Sequence, residues 1–148
     1  MATLLLVSGP NLNLLGDREP EIYGTTTLEQ LVAAAREAAT TAGYDLEHVQ
    51  SNIEGDLIDA VHTARKRCSA IIINPGAFTH YSYAIADALG AFEGPIVELH
   101  LSNTHRRERW RHTSVVSPIA TGVIMGFGGA GYPIAVQAAV AMVNAGKR

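Results

Sequence analysis

Cysteine and lysine are nearly absent: the chain has one cysteine, Cys68, and two lysines, Lys66 and Lys147. A single thiol excludes an intramolecular disulfide and fits a reducing compartment. Lys66 sits in an Arg-Lys-Arg run at an expected helix end, and Lys147 is next to last. Neither is placed as a buried amine, which argues against Schiff-base chemistry. There is no basic excess either. The net charge is −3, whereas a general nucleic-acid binder is normally basic. The apolar run Leu4 to Val7 is too short to span a membrane. No basic residue precedes it and Gly9-Pro-Asn11 ends it, so it does not read as a signal peptide. The six histidines form no His-Glu-x-x-His pattern and no cysteines are paired, so no metal site is expected. The first strand is not followed by Gly-x-Gly-x-x-Gly, which speaks against a dinucleotide. These absences point to a soluble cytoplasmic protein with no expected nucleic-acid, membrane or metal partner.

What is present is globular. The composition is 47% hydrophobic and 17% charged over 148 residues, which reads as one domain, residues 1–148. Repeats, linkers and low-complexity stretches are lacking. Thr3 to Val7, Ala70 to Ile73 and Pro95 to Leu99 are continuous apolar runs, as expected of strands covered on both faces. Tyr44 to Gln50 alternates like an edge strand, and Ala120 to Phe127 is a further strand. Thr27 and Gln30 form a capping-box pattern before Leu28, Leu31, Val32, Ala35 and Ala39, and Gly43 stops that helix. Ser51 or Asn52 is expected to cap a second helix carrying Leu57, Ile58, Val61 and Ala64. Tyr81, Ala84, Ile85, Ala88 and Leu89 mark a third. The last helix, about residues 133–145, is apolar at nearly every position from 134 to 143. A helix apolar all round needs cover all round. Either a second subunit provides it, or small alanines are tolerated at a surface.

This alternation implies α/β architecture with right-handed crossovers. Five strands point to a flavodoxin-like three-layer sandwich with a parallel sheet in the order 2-1-3-4-5. Ligands bind such sheets at the carboxyl ends of the strands. That rule selects residues 8–24 after the first strand, 74–80 after the third and 100–103 after the fourth.

The first of these loops is long, since such connections usually take about 2–6 residues. It carries Asn11, Asn13, Arg18, Glu19 and Tyr23, with Gly16 and Gly24 as candidate hinges. Tyrosine is ordinarily a poor base near neutral pH. A folded-back Arg18 would favour its phenolate; otherwise Tyr23 is a packing residue. His100 ends a buried strand, where it serves as a proton donor or acceptor or simply as a hydrogen-bonded strand end. Glu98 is read as facing the other side of that strand. Asn74 and His80 flank Pro-Gly-Ala, either for a ligand or for turn chemistry. From His105-Arg-Arg-Glu-Arg-Trp-Arg-His112, one arginine is kept as a substrate contact. Gly126-Phe-Gly-Gly-Ala-Gly131 lacks the Lys-Ser/Thr of a phosphate loop and reads better as close packing at a strand–helix turn.

The stretches Gly9-Pro-Asn-Leu-Asn-Leu-Leu-Gly16 and Arg18-Glu-Pro-Glu-Ile-Tyr-Gly24 resemble the signature of type II 3-dehydroquinate dehydratase. Asn74-Pro-Gly-Ala-Phe-Thr-His80 with Asp87-Ala-Leu89 resembles its second motif. Val97-Glu-Leu-His-Leu-Ser-Asn103, Arg111 and Ser117-Pro-Ile-Ala-Thr-Gly122 resemble the rest, so the likeness spans the chain. Tyr81, Trp110, Leu99 and Leu101 are mild departures that touch no catalytic group.

The resemblance implies a cofactor-free anti elimination of water from 3-dehydroquinate, giving 3-dehydroshikimate through an enolate. It implies Tyr23 as base, Arg18 as the cation that assists it, His100 as acid and Asn11 as holder of a water on the enolate oxygen. Asn74 and the backbone of Leu101 and Ser102 would bind the carboxylate, and His80 and Arg111 the ring hydroxyls. Asp87 would act from a neighbouring subunit of a dodecamer, a tetramer of trimers. Two other classes compete: a nucleotide- or phosphate-binding module using residues 126–131, and a scaffold assembled through the last helix.

Overall fold

The computed structural model describes every residue, Met1–Arg148. Five parallel strands, β1 (Thr3–Ser8), β2 (Asp45–Gln50), β3 (Ala70–Asn74), β4 (Ile96–His100) and β5 (Gly122–Met125), form one sheet in the order β2-β1-β3-β4-β5. This is the flavodoxin-like order expected from the strand pattern. The helices are α1 (Pro20–Tyr23), α2 (Leu28–Thr41), α3 (Glu54–Arg67), α4 (Tyr83–Gly90) and α5 (Gly131–Asn144). No helix is long and apolar enough to cross a membrane.

The strand sequences explain the three layers. Leu4, Leu6, Ile72, Val97 and Leu99 face one side and pack with Leu31, Val32 and Ala35 of α2 and Ala135, Val136 and Ala139 of α5. Leu5, Val7, Ile71, Ile73 and Ile96 face the other and pack with Leu57 and Val61 of α3 and Ile85 and Leu89 of α4. Both faces of β1 and β3 are therefore dry, which is why they read as unbroken apolar runs. The apolar α5 finds part of its cover within the chain, because α2 lies beside it on the same core. Larger apolar side chains lie exposed elsewhere, on Tyr81, Tyr83, Trp110 and Phe127.

Several boundaries differ from the sequence reading for local reasons. The capping box at Thr27 is present: Gln30 N–H donates to Thr27 Oγ1 over 3.2 Å, and Thr27 N–H to the Gln30 side chain over 3.0 Å. Neither Ser51 nor Asn52 caps α3. Ile53 is its N-cap, while Ser51 Oγ accepts from Ile53 N–H at 2.9 Å and donates to Asp56 at 2.7 Å. Asn52 Oδ1 instead accepts the N–H of Asn11 at 2.9 Å, tying α3's entry to the first loop. α4 starts two residues later than Tyr81, because Ser82 accepts from Ile85 N–H and acts as its cap. β5 is shorter than residues 120–127.

The carboxyl ends of β1 and β3 touch. Gly9 N–H donates to the Asn74 carbonyl over 2.8 Å. A Cβ on Gly9 would lie 2.2 Å from the Pro75 carbonyl oxygen, and one on Gly76, where φ is +59°, would lie 3.0 Å from that of Pro10. Only hydrogen atoms fit between the two turns. The backbone on both sides is held by the sheet and cannot give way, so Gly9→Ala is expected to cost ~2 kcal/mol or more of stability. Urea unfolding of the variant checks this; a midpoint equal to wild type would show that the two turns are not so tightly joined.

Candidate active site

The three segments selected by the sheet rule surround one open cleft with an empty volume of about 700 Å³. Asn11, Arg18 and Tyr23 come from the loop after β1, Asn74 and His80 from β3 and its exit, and His100, Leu101 and Ser102 from the end of β4. Arg107, Trp110 and Arg111 close it from the segment between β4 and β5. Three arginines line the cleft and no carboxylate does. A concave site of this kind focuses positive potential and selects a small anion.

The loop after β1 is held by its ends. Asn11 adopts a left-handed conformation at φ 68°, and Gly16 and Gly24 also have positive φ, at 98° and 83°. Between them Pro20–Tyr23 makes a single helical turn that aims Tyr23 inward. Arg107 Nη1 donates to Tyr23 Oη over 2.6 Å, and its guanidinium carbon lies 5.0 Å from the ring centroid. Arg18 flanks the same ring at 4.9 Å and pairs with Glu19 at 3.5 Å. Two cations thus sit around one phenol. The hydrogen bond to its oxygen comes from Arg107, not from the Arg18 to which the sequence reading assigned the assisting role. Arg107 also reaches Ser102 Oγ at 3.3 Å, and its buried Nε has no hydrogen-bond partner.

His100 is buried at the end of β4 and contacts Glu98, which does not face away from it. Residues two apart on a strand share a face, and His100 Nε2 lies 2.5 Å from Glu98 Oε2. Nδ1 is then the nitrogen left for a ligand. Glu98 is fully buried and receives hydroxyl hydrogen bonds from Thr79 at 3.0 Å, Ser114 at 3.0 Å and Ser117 at 2.6 Å. Burial pushes its carboxyl up, but the bond and charge of His100 with the Ser117 and Ser114 hydroxyls outweigh burial and hold it below the ordinary value. A carboxylate that orients an imidazole is the arrangement a proton donor needs.

His80 is held by its Nδ1, 2.8 Å from the Thr113 carbonyl. Burial lowers its pKa, opposed by the Thr113 bond and reinforced by His100 and Arg111. Its ring meets Trp110 edge-on at 5.2 Å, and Arg111 lies 4.1 Å over the Trp110 ring. Of the residues selected from sequence, Asp87 and Asn13 lie outside this cleft. Asp87 is exposed on α4, and Asn13 is exposed on the loop. The glycine run at 126–131 does not offer a phosphate cradle. Gly128 N–H is bonded to the Leu101 carbonyl at 2.9 Å and Gly126 N–H to that of His100 at 3.3 Å, while a Cβ on Gly129 would strike Leu31 at 2.7 Å. It is a packing turn.

A family model described as dehydroquinase class II matches residues 2–140. The chain belongs to that family. It is 51% identical to the 3-dehydroquinate dehydratase of Halalkalibacterium halodurans, over 93% of this chain and 95% of that one. It is 54% identical to catabolic 3-dehydroquinase 1 of Fusarium vanettenii, over 93% and 96%. The solved type II dehydroquinase of Propionibacterium acnes superposes with a TM-score of 0.91 at 42% identity, covering 95% of this chain and 97% of that one. Among dehydroquinases of this class, then, the present chain carries a hydroxyl-wrapped Glu98 under His100 and an arginine on Tyr23.

Glu98 also links this site to acid stability. Because its folded pKa lies below the ordinary 4.5, its contribution is complete above that pH and is lost as pH falls through the lowered folded value. Urea midpoints should therefore fall more steeply below about pH 4.5 in wild type than in Glu98→Gln. Parallel curves would mean that the carboxylate has no net favourable partner in the folded state.

Proposed function

We propose that the chain dehydrates 3-dehydroquinate to 3-dehydroshikimate by cofactor-free anti elimination, with Tyr23 and His100 as the proton-transferring pair. The observation that carries this reading is the Arg107-bound Tyr23 and the Glu98-bound His100 opening on one cationic cleft. Family membership supports the substrate, and the cleft's charge suits a small hydroxylated carboxylate.

The C2 proton of the substrate is acidified by the adjacent ketone but needs a positioned base. The Tyr23 phenolate takes it, with the Arg107 guanidinium stabilising charge on that oxygen and Arg18 stacked beside the ring. The electron pair passes to the ketone oxygen as an enolate. Asn11 holds a water against that oxygen, since fixed donors in a closed site stabilise developing charge. The enolate then collapses, the C1–O bond breaks, and His100 protonates the departing hydroxyl so that it leaves as water. Glu98 balances the imidazolium before transfer. Asn74 and the backbone of Leu101 and Ser102 bind the substrate carboxylate, and His80 and Arg111 the ring hydroxyls. Residues 17–24 act as a lid between Gly16 and Gly24, bringing Arg18 and Tyr23 in together and shutting out water.

The product is a conjugated ene-carboxylate with new ultraviolet absorbance. Purified protein should generate it from 3-dehydroquinate, while Tyr23→Phe and His100→Ala each lose at least about a hundredfold in kcat with the fold retained. No absorbance from wild type would sink the reaction, and full rates in either variant would move the chemistry elsewhere.

Asp87 completes the site from a neighbouring subunit of a dodecamer, a tetramer of trimers. Its exposure on α4, beside exposed Tyr81 and Tyr83, fits a contact surface. Co-expressing Tyr23→Phe and Asp87→Ala chains rebuilds some intact sites, so the mixture should be more active than either homogeneous variant. Activity equal to the mean of the two would place Asp87 outside the reaction.

A further inference from the structure

Behind Asn74 runs a line of polar groups that the reaction does not use. Asn74, Ser8 and Tyr132 are 3%, 0% and 1% exposed. Ser8 and Asn74 pair across β1 and β3 just beyond the last apolar row, Leu6 and Ile72, and Tyr132 reaches them from the first turn of α5. Buried polar groups at such a place need partners, and here the partners set each other's direction.

Gly76 N–H lies 3.2 Å from Asn74 Oδ1, and a backbone amide only donates, so that end of the carboxamide is the oxygen. The other end, Nδ2, lies 3.2 Å from Tyr132 Oη and donates to it. The Ser8 hydroxyl is a further hydrogen-bonding neighbour of that phenol. Ser8 Oγ lies 2.9 Å from His48 Nε2. Burial, with the charge of Arg36 adding, lowers the His48 pKa to about 4, which leaves that ring neutral beside Ser8 near neutral pH. Burial also pushes the Tyr132 phenol up, keeping it neutral. Gly76 and Tyr132 thereby fix which end of the carboxamide is oxygen and which is nitrogen.

We propose that Tyr132 is a positioning residue. Backed by Ser8 and His48, it locks the Asn74 carboxamide with its second Nδ2–H turned into the cleft to receive the substrate carboxylate. The proposal rests on the assigned reaction, in which Asn74 takes that carboxylate. A carboxamide that has lost this anchor is held by the Gly76 N–H alone, turns over more readily and presents Oδ1 to the anion for part of the time, and the two repel. A tyrosine that merely filled the core would be replaced by phenylalanine without consequence for substrate.

Tyr132→Phe keeps the ring and removes Oη alone. The KM for 3-dehydroquinate should rise about tenfold, with kcat within about twofold of wild type. Asn74→Ala should raise KM by itself, and in that background Tyr132→Phe should add nothing. Side-chain amide NMR gives a readout independent of turnover. The Asn74 proton pair, identified by its loss in Asn74→Ala, should shift in Tyr132→Phe. An unchanged KM, the same rise in both backgrounds, or an unmoved amide pair each overturns the proposal. A wild-type protein that leaves 3-dehydroquinate untouched overturns the reaction instead, and the amide pair still decides whether the anchor exists.

Discussion

Everything at the carboxyl edge of the sheet depends on how closely the turns after β1 and β3 approach. These strands are neighbours in the sheet but far apart in sequence, and the Gly9 N–H to Asn74 carbonyl bond continues their ladder past its last paired residues. Once Gly9 is against Pro75 and Gly76 against Pro10, the loop carrying Asn11, Arg18 and Tyr23 must leave on the same side as the turn carrying His80. Bulk at either glycine would part the two loops. The cleft is the space left beside a contact that admits no side chain.

From that edge inward the sheet changes character within one residue. On the α2/α5 face the apolar column Leu4 and Leu6 ends at Ser8, and Ala70 and Ile72 end at Asn74. On the α3/α4 face β4 turns polar at Glu98 and His100. Each polar group is satisfied from behind: Asn74 by Gly76 and Tyr132, and Glu98 by hydroxyls of Thr79, Ser114 and Ser117. Groups left unpaired so deep would cost roughly 1–3 kcal/mol each. The polar ends are therefore both the site and a condition of stability. The same support holds the side chains still for chemistry that depends on position.

The fold was readable because burial on both faces leaves an unmistakable apolar run in β1, β3 and β4, and because Thr27 and Gln30 announce a helix start. The cleft was readable from the strand-end rule together with the motifs at 9–24, 74–80 and 97–103. Arg107 was not, because it lies in a basic segment of short 3-10 turns with no period to say which arginine faces inward. Glu98 was readable in principle from its two-residue spacing to His100, which places both on one strand face. Ser114 and Ser117 had no such signal: they meet Glu98 only through a chain reversal that polar composition does not encode. Asn52, which looks like a cap, is taken by Asn11 from a loop far away in sequence.

The single tryptophan of the chain sits at the rim of the cleft. Trp110 is 54% exposed, yet it touches the His80 ring and lies under the Arg111 guanidinium. Indole emission depends on solvent and on nearby charge, so the molecule's whole tryptophan fluorescence originates beside its anion-selecting arginines. Occupation of the cleft is thereby written into an intrinsic optical signal. Association of a ligand with the cleft can be followed in time without attaching any label.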